Sequence, residues 1–341
     1  MLFLPGLSGL SRECEGLPEA DIPELKNLTR FLSRAQAKKV AVHEWHAGLA
    51  SLFGLEKLPV AALRCRRHAK SYAEKIFCLC ADPVYIQPDL NGAVLLAHEE
   101  LDLSLNEARE LAAAIADHFA GESWSLDVLT PHRWLLRLAR PPKLDTTPLA
   151  RVQGKAVGND LPRGEDSGYW QRIQNEIQML LHAHPLNAAR EAQGRMPVNS
   201  LWLWGEGGLP EKPAAGWQSL LGRGEPLSDL ADWAACRFID TVPGAWPEAD
   251  ELALPALLAS DALLPAVQAR DPQAWLGMLE VIDQHWICEA MNLLQAGRLD
   301  AVALLSDGRY FLLQRKGLRR WCRTWCWNWR RRSNPFSFFA Q

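Results

Sequence analysis

Residues 169–208 read YWQRIQNEIQMLLHAHPLNAAREAQGRMPVNSLWLWGEGG, and the residue types that do chemistry crowd together there. On a helix starting near Trp170, residues Gln171, Asn175, Gln178 and His182 fall at spacings of four, three and four and share one stripe. Solvated helix faces generally carry Lys and Glu. A stripe of amides and imidazole instead suggests a polar network, facing either a ligand or the following strand at 198–204. His184 precedes Pro185, which biases it out of helical geometry and ends the helix. Asn187 and Arg190 follow in the connection, and the planar fork of Arg190 suits a carboxylate or a phosphate. The run VNSLWLWGEGG, with Asn199 near its start, reads as a buried strand entering a glycine turn. Gly205, Glu206 and Gly207 then form a candidate pocket rim, because ligands of open α/β sheets lie beyond the carboxyl ends of strands. The turn lacks the GK[ST] ending of a P-loop.

These residues carry a resemblance. The stretch NEIQMLLHAHPLNAAREAQGRMPVNSLWLWGEG resembles the signature of bacterial regulatory proteins of the "regulation of pathogenicity factor E" type, a likeness that extends over most of residues 60–310. Over about 130–208 the chain is similar, more distantly, to archaeal-type cofactor-independent phosphoglycerate mutases. Their HPxNxxR…G…PxN…LWG pattern is matched by His184, Pro185, Asn187, Arg190, Gly194, Pro197, Asn199, Trp204 and Gly205. Upstream, PHRWLLRL supplies His132 and Arg133, and LDTTP supplies Asp145, at positions resembling the mutases' HR strand and DTDP element. The resemblance implies an alkaline-phosphatase-like fold, a phosphorylated small carboxylic acid as ligand, and two metal ions held by Asp and His. The sequence departs from that pattern. No Asp-Gly element follows the first strand, and Asp307 is followed by Gly308 where the superfamily has Asp-His. Asp-Gly between two apolar runs signals a hairpin turn.

The expectation is therefore a phosphoglycerate-mutase-like regulatory or small-anion-binding protein that has lost metal-dependent phosphotransfer and holds no cofactor. An anion would sit among His132, Arg133, His184, Asn187 and Arg190, with 205–208 at its edge. Two other readings stay open. One is an active mutase or related phosphotransferase with two divalent ions. The other is an interaction protein using its tail, LRRWCRTWCWNWRRR at 318–332, whose six arginines and four tryptophans suit nucleic acid or a membrane surface.

The elements that must position these residues read as a mixed α/β fold, with a largely parallel central sheet and flanking helices. Residues 21–55 have helical spacing, with a second helix expected from Val40 to Phe53 that would hold His43 and His46. LPVAAL, PVYIQP, AVLLA and RWLLRL read as strands. DLSLNEARELAAAIADHF reads as a helix opened by a Ser104/Glu107 capping box. Residues 140–170, rich in Pro and Gly, read as an exposed connection. QAWLGMLEVIDQHWICEAMNLLQAG reads as a long helix stopped by Gly297. The expected division is 1–150, 151–317 and 318–341.

Composition bounds the rest. At 341 residues the chain suffices for two domains, and 48% hydrophobic with 23% charged residues is globular usage. A net charge of −3 imposes no overall attraction to nucleic acid or acidic membranes. The start lacks a basic n-region, so a cytoplasmic location is expected. The eight cysteines include no CxxC pair and read as reduced, mostly buried thiols.

Overall fold

The computed structural model describes residues 1–16, 22–42, 44–68, 77–89, 92–158, 160–210, 216–248 and 251–315. In chain order, β1 (Leu2–Phe3), α1 (Lys26–Leu32), β2 (Gln36–Lys39) and α2 (Trp45–Leu52) come first. Then follow α3 (Val60–His68), β3 (Phe77–Asp89), β4 (Gly92–Ala97), α4 (Leu105–His118), β5 (Trp124–Thr130) and β6 (Arg133–Leu138). The short α5 (Leu149–Val152) leads to α6 (Ser167–His182), α7 (Pro185–Ala192) and β7 (Ser200–Trp204). The last group is β8 (Ser219–Gly222), α8 (Leu227–Ala234), β9 (Arg237–Asp240), β10 (Ala256–Ala259), α9 (Leu264–Ala269), α10 (Pro272–Ile282), α11 (Cys288–Ala296), β11 (Ala301–Ser306) and β12 (Arg309–Gln314).

The chain folds as two units that part at neither 150 nor 317: one takes the described residues of 1–56 and 212–341, the other those of 57–211. The first holds a seven-stranded sheet, ordered β2-β12-β11-β1-β10-β8-β9. It is parallel from β11 to β9, with β12 and β2 added antiparallel. β1 lies between β10 and β11, pairing Leu2 with Leu258 and Leu304. Alternation along so short a strand still serves both faces. Leu2 joins a core with Phe31, Trp275, Leu279, Trp286 and Leu294 from α1, α10 and the helical turn after it, and α11. Phe3 points the other way and stacks on Trp45 of α2, with ring centroids 5.3 Å apart. Gly48 makes that approach possible, since a Cβ there would run into the Phe3 ring. Between α10 and α11 the helix widens into a π turn at Asp283–Ile287. The buried Asp283 accepts from the backbone of Asn27 and Leu28 and so supplies the first turn of α1 with an acceptor.

The second unit holds a five-stranded sheet, ordered β4-β3-β6-β5 with β7 also on β3, and every pairing in it is antiparallel. The expected, largely parallel sheet is that of the first unit, and the second unit has an antiparallel sheet of its own. Cys80 pairs with both Leu135 and Trp204, so β6 and β7 lie on opposite edges of β3. On one face Leu79, Ala81, Trp134, Leu136, Leu201 and Leu203 meet α4 and α6. On the other face, α3 packs against β3.

The helix α3 replaces the strand expected for LPVAAL. A short, wholly apolar run fits a buried helix as well as a buried strand. Here Ala and Leu favour the helix, and Val60 to Cys65 are all buried. Two further differences lie near the start of the chain. β2 is an exposed edge strand, QAKK, with no apolar alternation to betray it and with lysines that suit an edge. α2 begins only at Trp45. His43 and the tail at 318–332 lie outside the described residues. Among the described residues no helix is long and apolar enough to cross a membrane.

Candidate functional site

Strand β7 organises the polar chemistry of the unit 57–211. At its carboxyl end the DTTP and WGEG segments are clasped together. The Gly205 amide donates to Thr146 Oγ1 at 3.2 Å, and the Thr146 amide donates to Glu206 at 3.2 Å. The Thr146 hydroxyl also donates to Glu206, and Trp202 Nε1 donates to the Thr147 carbonyl at 2.8 Å. Lys57 completes the cluster, donating to Asp145 at 2.8 Å and to the buried Glu206. Burial works against the ammonium, but the bonds to Asp145 and Glu206 outweigh it and push the Lys57 pKa up. Gly205, at φ +75°, is needed for the turn. A Cβ there would sit 3.2–3.3 Å from Val60 Cβ, the Ala61 amide and Cys80 Sγ, and its carbonyl accepts from the Ala61 amide at 3.0 Å. A Cβ on Gly207, at φ +136°, would sit 3.0 Å from Pro59 Cβ.

Beneath this turn lies a buried ion pair. Asp82 on β3 accepts from Arg64 of α3 at 2.8 and 3.1 Å, from the Trp134 amide at 3.2 Å and from Trp204 Nε1 at 2.9 Å. The Arg64 guanidinium also lies over the Trp204 ring, 5.2 Å from its centroid. His132 lies in the β5–β6 turn and Arg133 opens β6, immediately before Trp134.

The remaining motif residues gather at the other end of β7. Arg190 is 1% exposed, and its guanidinium donates to Glu107 at 2.9 Å and to the carbonyls of Met196 (3.0 Å), Asp102 (3.4 Å) and Leu101. Arg195 shares Glu107 at 2.8 and 3.1 Å. The Glu107 carboxyl is held down at about 2: burial alone would raise it, but donors from Arg195, Ser104 and Arg190 prevail. Asn187 donates to the carbonyls of Leu181 and Val198, both at 2.7 Å, and accepts from the Val198 amide at 3.0 Å. Asn199 exchanges a pair of bonds with the Ile86 backbone, at 2.8 and 2.9 Å. His184 caps α7, its Nδ1 accepting from the Leu186 amide at 3.2 Å.

The structure therefore distributes the expected site over three places. Asp145, Gly205, Glu206 and Gly207 come together. Asn187, Arg190 and Asn199 become internal braces rather than walls of a pocket. The expected inward stripe on α6 is corrected as well. Asn175, Gln178 and His182 are exposed, although Gln178 still reaches Ser200 Oγ at 3.2 Å. The inward amide is Gln174, bonded to the Leu201 carbonyl at 3.1 Å. The reason is phase: Trp170, Ile173, Gln174, Ile177 and Leu181 form the buried stripe and turn the neighbouring one outward. Sequence reasoning missed Lys57, Arg64, Asp82, Thr146 and Arg195, and saw Glu107 only as half of a capping box. For Asp82 a signal existed, since it is a single charge inside an apolar run.

In the other unit, Asp307 and Gly308 form the hairpin turn after β11, at φ +44° and +76°. The Asp307 carboxylate accepts from the Gly6 amide at 2.7 Å and from the Ser8 amide and hydroxyl, both at 2.8 Å. These donors all come from the loop after β1, which neighbours β11 in the sheet. Among the described residues no three His, Cys, Asp or Glu side chains gather as a metal site would require.

No family model matches the chain. It is 33% identical to the 2,3-bisphosphoglycerate-independent phosphoglycerate mutase of Methanothrix thermoacetophila over 146 residues, 39% of this chain and 37% of that one. Its identity to the enzyme of the same name from Methanosarcina acetivorans is 29% over 150 residues, 40% of this chain and 37% of that one. The match thus spans little more than a third of these curated relatives. Among solved structures, the PH0037 protein from Pyrococcus horikoshii superposes with a TM-score of 0.53 at 12% identity, covering 92% of this chain and 86% of that chain. That likeness is one of fold.

Proposed function

We propose that this chain is a phosphoglycerate-mutase-like protein with a regulatory, small-anion-binding role, and that it does not carry out two-metal phosphotransfer. The observation that carries this reading is the state of Asp307. Its carboxylate takes three hydrogen bonds from the loop after β1, and metal ligation at that strand end would have to break them. The similarity to phosphoglycerate mutases supports a phosphorylated small acid as ligand. Arg190 and Asn187 are engaged internally, and this reading assigns the anion contacts to Arg133, with His132 and His184.

The test is calorimetric titration of the purified chain with 3-phosphoglycerate, beside an assay of its interconversion with 2-phosphoglycerate in manganese or zinc. Saturable binding without turnover is expected. Arg133→Ala should weaken binding by about ten- to a hundredfold, the worth of one charged hydrogen bond. Metal-dependent turnover would replace this reading with that of an active mutase.

A further inference from the structure

Cys65, Cys78 and Cys80 are all free and all buried. Cys78 and Cys80 are two apart on β3 and so share a face, opposite the one that places Leu79 and Ala81 in the core with α4 and α6. That face meets α3, and a Gly205 Cβ would lie within 3.3 Å of Cys80 Sγ and of Val60 and Ala61 at the start of the helix. Cys65 and Cys78 are hydrogen-bond neighbours, and Arg137, the residue paired with Cys78 on β6, also acts on Cys65. Nothing in the chemistry considered above uses this pair.

We propose that Cys65 and Cys78 form a dithiol that a peroxide oxidises to a disulfide, making the junction of α3 and β3 a site of reversible modification. Cys65 is the attacking sulfur. The hydrogen bond from Cys78 and the charge of Arg137 hold its thiol below the ordinary range in spite of burial. Cys78 is pushed the other way by the same bond and by burial. The Cys65 thiolate attacks one peroxide oxygen, the O–O bond breaks, hydroxide leaves and a sulfenic acid forms. The Cys78 sulfur then attacks the Cys65 sulfur, the S–S bond forms, and the sulfenic hydroxyl leaves as water with the Cys78 proton. Overall two thiols and one hydrogen peroxide give one disulfide and two waters, the sulfurs losing the two electrons that the peroxide gains. Both sulfurs are enclosed, so the reaction proceeds through local opening of α3 and is slower than that of a surface thiol.

The experiment treats the full chain with hydrogen peroxide under native conditions, quenches with catalase, blocks free thiols with maleimide in denaturant, and maps the peptides by mass spectrometry. A Cys65–Cys78 linked peptide, released by dithiothreitol, is expected as the main cross-link, and it should persist in Cys80→Ser. The wild-type map suffices even where Cys65→Ser or Cys78→Ser fails to fold. Recovery of Cys65 and Cys78 as maleimide adducts while the part-exposed Cys236 and Cys288 oxidise would overturn the proposal, as would a principal cross-link through Cys80.

Discussion

The guanidinium of Arg190 donates to three carbonyl oxygens and the Glu107 carboxylate, and its removal leaves the buried bond to the Leu101 carbonyl unmade. Arg195 stays on Glu107, so the carboxylate keeps one cation. Arg190→Ala should therefore lower unfolding stability by about 3 kcal/mol, the low end for breaking a buried pair. Urea denaturation measures this, and a loss below about 1 kcal/mol would show that the brace is not carried by this residue. Glu107 adds a pH dependence. Its carboxyl lies at about 2 in the folded chain against an ordinary 4.5, so its stabilisation is full above 4.5 and is lost as pH falls from there towards 2. Asp283, pushed up by burial, acts with the opposite sign. Comparing melting temperatures of the wild type and Glu107→Gln between pH 6 and pH 2 isolates the Glu107 contribution, and the two curves should converge at the acid end. The Ser104/Glu107 capping box was legible because it is a local pattern, three residues apart. The arginines that use the same carboxylate lie more than eighty residues away, and no spacing rule could pair them with it.

At the scale of elements, the turn between β11 and β12 does more than reverse the chain. Asp307 supplies the acceptors for Gly6 and Ser8, so Asp307→Ala leaves two amides and a hydroxyl without them. A cost of about 1–3 kcal/mol is expected in chemical denaturation. Asp307→Asn, which keeps one acceptor oxygen, should lose less, and equal losses in the two variants would remove the carboxylate from its assigned role. The turn itself was readable, because Asp-Gly between apolar runs has one common geometry. Its bonds to the loop after β1 were not, because parallel neighbours in a sheet are joined by topology rather than by sequence distance. The α6 stripe shows the same limit from another side. Polar composition marked Asn175, Gln178 and His182 as unusual, but the direction they face follows from where Trp170 and Ile177 are buried.

For the whole molecule, the unit 57–211 is continuous in sequence and has its own core, whereas the other is assembled from both ends of the chain. A fragment of residues 57–211 is expected to fold alone and to unfold in one cooperative step, as judged by coincident near- and far-ultraviolet dichroism in urea. Non-coincident transitions would show that it depends on the rest of the chain. The boundary at 211/212 falls in a Gly- and Pro-rich stretch, GEGGLPEKPAAG, that reads as a linker, but nothing in the sequence shows that 1–56 and the residues after 212 share one sheet. It also sets an order of events in synthesis. Strand β1 belongs between β10 and β11, which are made roughly 250 residues later. At translation rates of roughly 5–20 residues per second, Leu2 and Phe3 wait about 10–50 s for the strands that will flank them. Meanwhile the segment 57–211 leaves the ribosome whole and can close at once. Throughout that interval the nascent chain presents Leu2, Phe3, Leu4 and Leu7, all of which end up almost fully buried. A chaperone thus has a long opportunity to hold these four residues.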